Sequence, residues 1–347
     1  MPRSPDSTVA SIGEFGLIDR LRRLVPTGGP GVVLGVGDDA AVLRFTGPVV
    51  ATCDAQIEGV HFTWDLCGPD DVGWRAIAVN LSDIAAVGGT PRFVLISLAL
   101  PPDIPVATVE GIYAGVAQAS SAHSVVVAGG NLSRTPGPLA VDVTALGDAG
   151  RVVARAGARP GDGVWITGTV GKAAAGRYLA QHPGVRVPGG AALVAAFRRP
   201  TPRVQAGGLL GQIPAVSAMI DTSDGTASDL LHLVTASGAG VRLDEARLPV
   251  PEGLPEAAGE AGEDPAEWML GGGEDYELLF TAAGAFDPQA PGLAGTLGAP
   301  LSRIGEILPA SDGRWIVGRG GRQRPLTAPG WDHFRRAPLN NRGTGEG

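Results

Sequence analysis

Five short segments of this chain set carboxylates among glycine and other small residues: GDDA at 37–40, TCD at 52–54, NLSD at 80–83, DTSDG at 221–225 and GGGED at 271–275. A solvated surface carboxylate needs no such neighbours. Brought together at strand ends, two such charges repel by about 4 kcal/mol at 4 Å and an effective dielectric of 20. A bound cation is the natural relief. Carboxylate, hydroxyl and carbonyl oxygens are hard ligands that suit Mg²⁺ better than zinc or copper. Mg²⁺ held by acidic, glycine-rich turns points to chemistry on a phosphorylated nucleotide. Any one of these aspartates also suits an ordinary turn, but five such segments in one chain argue for a site.

Two familiar phosphate motifs fail on detail. VVLGVGDDA at 32–40 has the glycine spacing of a dinucleotide fingerprint. Asp38 and Asp39 stand where a pyrophosphate would need bare backbone N–H groups. GTVGKAAAG at 168–176 imitates a P-loop, but Ile166 replaces its first glycine and Ala173 its Mg²⁺-binding hydroxyl residue. The five histidines, His61, His123, His182, His232 and His333, lack zinc-ligand spacing.

The elements that must carry these turns alternate between helical and strand patterns. Helices are expected over 14–25, 70–87, 106–122, 172–180, 204–210 and 227–236. Strands are expected over 32–34, 49–52, 93–100, 125–128, 139–146, 164–167, 218–220 and 276–280. The Gly-, Arg- and Pro-rich stretch 147–162 separates two such series. The expected organisation is a frayed tail at 1–11, a first domain at 12–148, a second at 149–336 and a second tail at 337–347. The class is α/β or α+β.

Composition narrows the partners. Of 347 residues, 44% are hydrophobic, enough for two cores, and the net charge of −8 disfavours a general nucleic-acid binder. Lys172 is the only lysine, so the positive charge is almost all arginine. Cys53 and Cys67 make no disulfide framework, which suits a reducing cytoplasm. No run of about 18 apolar residues is present, so no membrane span is expected.

In the order and number of its motifs the sequence resembles the thiamine-monophosphate kinase family. That family lies in the wider group of ATP-binding enzymes that includes aminoimidazole ribonucleotide synthetase and selenophosphate synthetase. The segments that carry the resemblance are GEFGLIDRL, GVGDDAAVL, TCDAQIEGVHF, RAIAVNLSDIAAVGGTP, AGGN, ARAGARPGD, DTSDGTASDLLHL, GGGEDYELLF and GWDHF, from Gly13 to Phe334. The resemblance implies the two-domain aminoimidazole ribonucleotide synthetase-like fold. Its N-terminal α/β domain would pair as a homodimer through its sheet, followed by an α+β C-terminal domain. It also implies the reaction of ATP with thiamine monophosphate to give ADP and thiamine diphosphate, with several Mg²⁺ ions. A related enzyme acting on another acceptor, or a catalytically lapsed binding protein, is the alternative.

The same resemblance assigns roles. Asp39, Thr52, Asp54, Asp83, Asp221 and Asp224 resemble metal ligands. Tyr113, Gly130, Asn131, Arg155 and Ser223 fall at ATP-contacting positions, and His61, Glu274 and Trp331 at positions that contact thiamine monophosphate. Tyr113 also suits a helix core. Two positions depart from the family. Asn131 replaces the aspartate of its GGD turn, keeping a carbonyl oxygen but losing a charge, and as a metal ligand it would hold Mg²⁺ more weakly, directly or through water. Cys53 replaces a hydroxyl residue and could offer a hard metal only its backbone carbonyl.

Overall fold

The computed structural model describes residues 7–287 and 289–327. The first half runs α1 (Val9–Leu21), β1 (Val32–Leu34), β2 (Val42–Leu43), β3 (Val49–Ile57), α2 (Pro69–Ala86), β4 (Thr90–Leu100), α3 (Val106–Ala122), β5 (Val126–Arg134) and β6 (Ala140–Asp148). Four of these strands form a sheet in the order β3-β6-β4-β5. Along β6 the side chains alternate. Val141, Val143 and Ala145 are fully buried beneath α2 and α3, while Asp142 and Thr144 point to the other face. The register pairs Thr52 with Ala145, Cys53 with Thr144 and Asp54 with Val143. Thr52 and Asp54 therefore face the helices, and Cys53 faces away from them.

The second half runs β7 (Gly163–Thr167), α4 (Lys172–Gln181), α5 (Gly190–Arg198), α6 (Val204–Gln212), β8 (Val216–Asp221), α7 (Thr226–Ala236) and β9 (Gly240–Asp244). It continues with α8 (Leu254–Ala261), α9 (Pro265–Gly271), β10 (Leu278–Ala282), α10 (Ala290–Leu297), β11 (Leu301–Leu308), β12 (Arg314–Val317) and β13 (Gln323–Pro325). Its seven-stranded sheet has the order β13-β12-β9-β11-β7-β10-β8, antiparallel except for β12 beside β9. The two halves interlock. Phe197 of α5 joins the core of the first, and Ala85 and Ala86 of α2 join a core of the second.

Residues 8–11 depart from the tail expected at 1–11, whose first six residues, like the tail expected at 337–347, lie outside the described residues. Helix α1 begins at Val9 because the Val9 N–H donates to Ile104 O at 3.0 Å and Thr8 bridges to Pro105. It ends at Leu21, short of the expected Val25. Strand β5 continues past the expected Ala128 because β4 stays paired with it as far as Arg134.

Helix α2 is the hub of the molecule. Pro69 opens it, and the Gly68 N–H donates to the Asp71 carboxylate at 3.0 Å. It crosses α3 at backbone contact. A Cβ on Gly73 would lie 1.8 Å from Ile112 O, and one on Gly115 would lie 1.9 Å from Asp70 O. Gly73→Ala must therefore push the helices apart and is expected to cost about 1–3 kcal/mol. Thermal denaturation reads this directly, and an unchanged melting temperature would contradict the close crossing.

Candidate functional site

Strand β3 and helix α2 build one side of the site. The Thr52 hydroxyl donates to Asp83 Oδ2 at 2.6 Å. One turn earlier on α2, buried Asn80 accepts the Asp54 N–H at 3.0 Å and donates to Ala76 O at 2.9 Å. Asn80 thus pins the edge strand beside the helix.

Strand β8 brings the other side. It ends at Asp221, which is 3% exposed and accepts the Ser82 hydroxyl at 2.6 Å across the junction between the halves. Burial, with the Asp83 charge adding to it, pushes the Asp221 carboxyl up to about 7. Burial raises Asp83 as well, against its Thr52 bond. The charge of the exposed Arg155 opposes the rise in both without cancelling it. Behind the turn, Asp229 accepts the N–H groups of Asp224 and Gly225 at 3.2 and 3.1 Å. Burial first, then the charges of Asp221 and Asp224, raise its carboxyl to about 8.

The 272–277 loop is laced to this turn. The Glu274 N–H donates to Ser223 O at 2.8 Å and the Tyr276 N–H to Thr222 O at 3.0 Å. Glu274 and Tyr276 hold φ of +58° and +51°, left-handed values that side-chain-bearing residues adopt only where their surroundings impose them. Glu274 pairs with Arg75 of α2, a side chain only 1% exposed. Arg75 also donates to Phe197 O at 2.5 Å and to Gln56 Oε1 at 3.4 Å, and its guanidinium lies 5.6 Å from the Phe197 ring centroid. One buried arginine therefore ties β3, α2, α5 and the 272–277 loop together.

The next acids along the loop are structural. Asp275 accepts the N–H groups of Gly171 and Ala173 at the start of α4, filling the place a P-loop keeps for phosphate. Glu277 is fully buried between Lys172, the Arg203 fork at 2.6 Å and the Thr167 hydroxyl at 2.7 Å. These cations hold its carboxyl below the ordinary range although burial opposes them. The only lysine of the chain is thus spoken for.

The expected site residues separate into groups. Thr52, Asp83, Asp221 and Arg155 are drawn together, with Ser223 and Asp224 on the adjoining turn and Asp54 on the same strand face as Thr52. In the turn after β3, His61 Nδ1 accepts the Ile57 N–H at 3.1 Å. Asp39 stands exposed in the turn after β1, where its N–H donates to Asp38 Oδ1 at 2.8 Å. Gly130 and Asn131 lie inside β5 and not in a turn, and a Cβ on Gly130 would meet Ile96 O at 2.0 Å. Asn131 pairs with Ser97, on the same open sheet face as Cys53 and three strands from β3. Cys53 Sγ donates there to Asp142 Oδ1 at 3.4 Å. Tyr113 is buried in the first core, which raises its phenol pKa. Trp331 lies outside the described residues.

The residues missed from the sequence are Gln56, Arg75, Asn80, Ser82 and Asp229. Arg75 carries a signal, a charge within the apolar run of α2. The others read as ordinary polar positions.

Residues 37–149 match the family model described as AIR synthase related protein, N-terminal domain. The thiamine-monophosphate kinase of Escherichia coli strain K12 is 35% identical over 330 residues, which cover 93% of this chain and 98% of that one. This chain belongs to the thiamine-monophosphate kinase family. The fold agrees. The crystal structure of the thiamine-monophosphate kinase from Stenotrophomonas maltophilia K279a matches with a TM-score of 0.78 at 35% identity, covering 89% of this chain and 97% of that chain. The structure described as AaThiL complexed with AMPPCP and TMP matches with a TM-score of 0.74 at 33% identity, covering 95% and 100%. This member of the thiamine-monophosphate kinase family thus shares the fold of a relative that holds both ligands. Among the described residues, no helix is long and apolar enough to cross a membrane.

Oxygen donors dominate the group around Asp83 and Asp221, and their mutual repulsion suits a hard dication. Among the described residues, however, no three His, Cys, Asp or Glu side chains converge on one point that could hold an ion. Mg²⁺ commonly takes one or two carboxylates and completes its shell with substrate phosphates and water. The donor set fits that mode.

Proposed function

We propose that this chain transfers the γ-phosphoryl group of ATP to thiamine monophosphate (TMP), releasing ADP and thiamine diphosphate. The observation that carries the reading is the meeting of Asp83 and Asp221, one from each half of the chain, beside the anchored acid Glu274. The acidic group suits phosphates accompanied by Mg²⁺, and Glu274 suits the cationic ring of thiamine.

Asp54, Asp83, Asp221 and Asp224, with Thr52, would hold Mg²⁺, which would neutralise charge on both phosphate chains when bound. Arg155 adds a fixed cation for a phosphate oxygen. Glu274 and His61 orient the acceptor. The nucleophile is itself a phosphate with a second pKa of about 6, so near pH 7 it needs no general base. We therefore read the transfer as direct and in line, with no phosphorylated side chain on the path. The open face of the four-stranded sheet is the surface we assign to a homodimer. That places Cys53 and Asn131 at the subunit contact and away from Asp83. A reaction that consumes ATP, in a chain with two unpaired cysteines, suits the cytoplasm.

Phosphorus NMR of the protein with ATP, Mg²⁺ and TMP tests the reading. Thiamine diphosphate and ADP should appear in equal amounts. Binding of ATP without product would point to another acceptor or to a lapsed enzyme. A phosphorylated side chain trapped on the productive path would exclude direct transfer.

A further inference from the structure

The loop that carries Arg155 is fastened by a residue with no part in the roles assigned above. Ser237 caps the C-terminus of α7. Its hydroxyl accepts the N–H groups of Gly157 and Ala158 at 3.2 and 3.1 Å and donates to Arg155 O at 3.3 Å. A hydroxyl has one proton and two acceptor positions, and all three go to this one loop. The other end of the loop is held by Met219, whose N–H donates to Ala154 O at 3.1 Å, two residues before Asp221 on β8. Between the two anchors, Gly157 passes so close to β8 that a Cβ would lie 2.3 Å from Ser217 O. Its φ of +136° is one that side-chain-bearing residues rarely adopt.

The Arg155 side chain has no such support. It is exposed, and among the described residues its guanidinium makes no hydrogen bond or ion pair. Where it points is therefore set by its backbone, and its backbone is set by Ser237 and Met219. We propose that Ser237 is a positioning residue for nucleotide binding, which holds the 154–158 loop so that Arg155 meets a phosphate of ATP. This rests on the function proposed above. Without the hydroxyl, the Gly157 and Ala158 amides turn to water and the loop loosens. The arginine must then be ordered as the nucleotide arrives.

Ser237→Ala, Arg155→Gln and the double variant form the test, each titrated calorimetrically with AMPPCP in the presence of Mg²⁺ and separately with TMP. Ser237→Ala should weaken AMPPCP roughly 3- to 10-fold and leave TMP unchanged. In the Arg155→Gln background the same substitution should cost nothing, because no guanidinium is left to aim. Ser237→Thr keeps the hydroxyl and should bind AMPPCP as the wild type does. A merely structural serine would weaken AMPPCP equally in both backgrounds. That result, or unchanged binding by Ser237→Ala, overturns the proposal. If Arg155→Gln alone bound AMPPCP like the wild type, Arg155 would leave the nucleotide site and the proposal would fall with it. The cycle reads nucleotide binding only, so failure of the wild type to phosphorylate TMP would sink the proposed function and not this assignment.

Discussion

Asp221→Asn is expected to abolish turnover and, in the same molecule, to raise the melting temperature measured without Mg²⁺. The two effects have one cause. Asp221 is 3% exposed and its charge adds to that of Asp83. Folding without a cation must bring these acids together, which costs on the order of a few kcal/mol. Asparagine keeps an oxygen that can accept the Ser82 hydroxyl at the present 2.6 Å position, and it removes the charge. The fold gains what the site loses. A carboxylate that helps to hold the transferring phosphoryl group contributes several kcal/mol to its transition state. The rate should therefore fall by about a thousandfold, equivalent to about 4 kcal/mol. Added Mg²⁺ and ATP should stabilise the wild type more than the variant. A variant that turns over like the wild type would remove Asp221 from the site. A variant that melts lower without Mg²⁺ would mean that the acidic pair costs the fold nothing.

Much of this arrangement was readable one element at a time. The apolar run of 93–100 and the helical pattern of 106–122 locate β4 and α3 closely. Thr52 and Asp54 share a face because strand side chains repeat every two residues, and the same rule sends Cys53 to the other side. What the chain does not spell out is strand order. Asn131 falls at a family motif that it matches except for one lost charge, yet β6 and β4 lie between its strand and β3. Residues that act across the junction are equally hidden. Ser82 reads as one small residue of a buried helix until β8 ends against it. Asp229 reads as a helix acid until its carboxylate folds back on the 224–225 amides. The helix 190–198 is short, rich in alanine and opened by glycine, so its pattern is weak. The short strands β9, β12 and β13 are similarly faint. They are held by their neighbours in the sheet more than by their own sequence.

Arg75→Met is expected to destabilise the protein by about 3 kcal/mol and to raise KM for TMP about a hundredfold, with KM for ATP little changed. Methionine fills much of the volume and returns none of the bonds. Phe197 O and Gln56 Oε1 lose their donor, and Glu274 loses its partner. Breaking a buried ion pair costs roughly 3–5 kcal/mol, and the lower end applies because the Glu274 side chain is 35% exposed and can find water. The kinetic effect follows from geometry. Glu274 sits in a left-handed backbone held by Ser223 O, and Arg75 is the side chain that fixes where its carboxylate points. Without that pairing the carboxylate samples several rotamers, and the ordering must be done when the acceptor binds. The group proposed to hold ATP and its metal, Asp83, Asp221 and Arg155, has no bond to Arg75 among the described residues. Arg75→Lys separates charge from shape. An ammonium restores a cation beside Glu274 but cannot reproduce the planar fork that reaches three acceptors on three elements. It should recover part of the melting temperature and little of the TMP affinity. If lysine restored both fully, Arg75 would be a counter-charge and nothing more. If neither variant altered KM for TMP, Glu274 would have to be removed from the acceptor site.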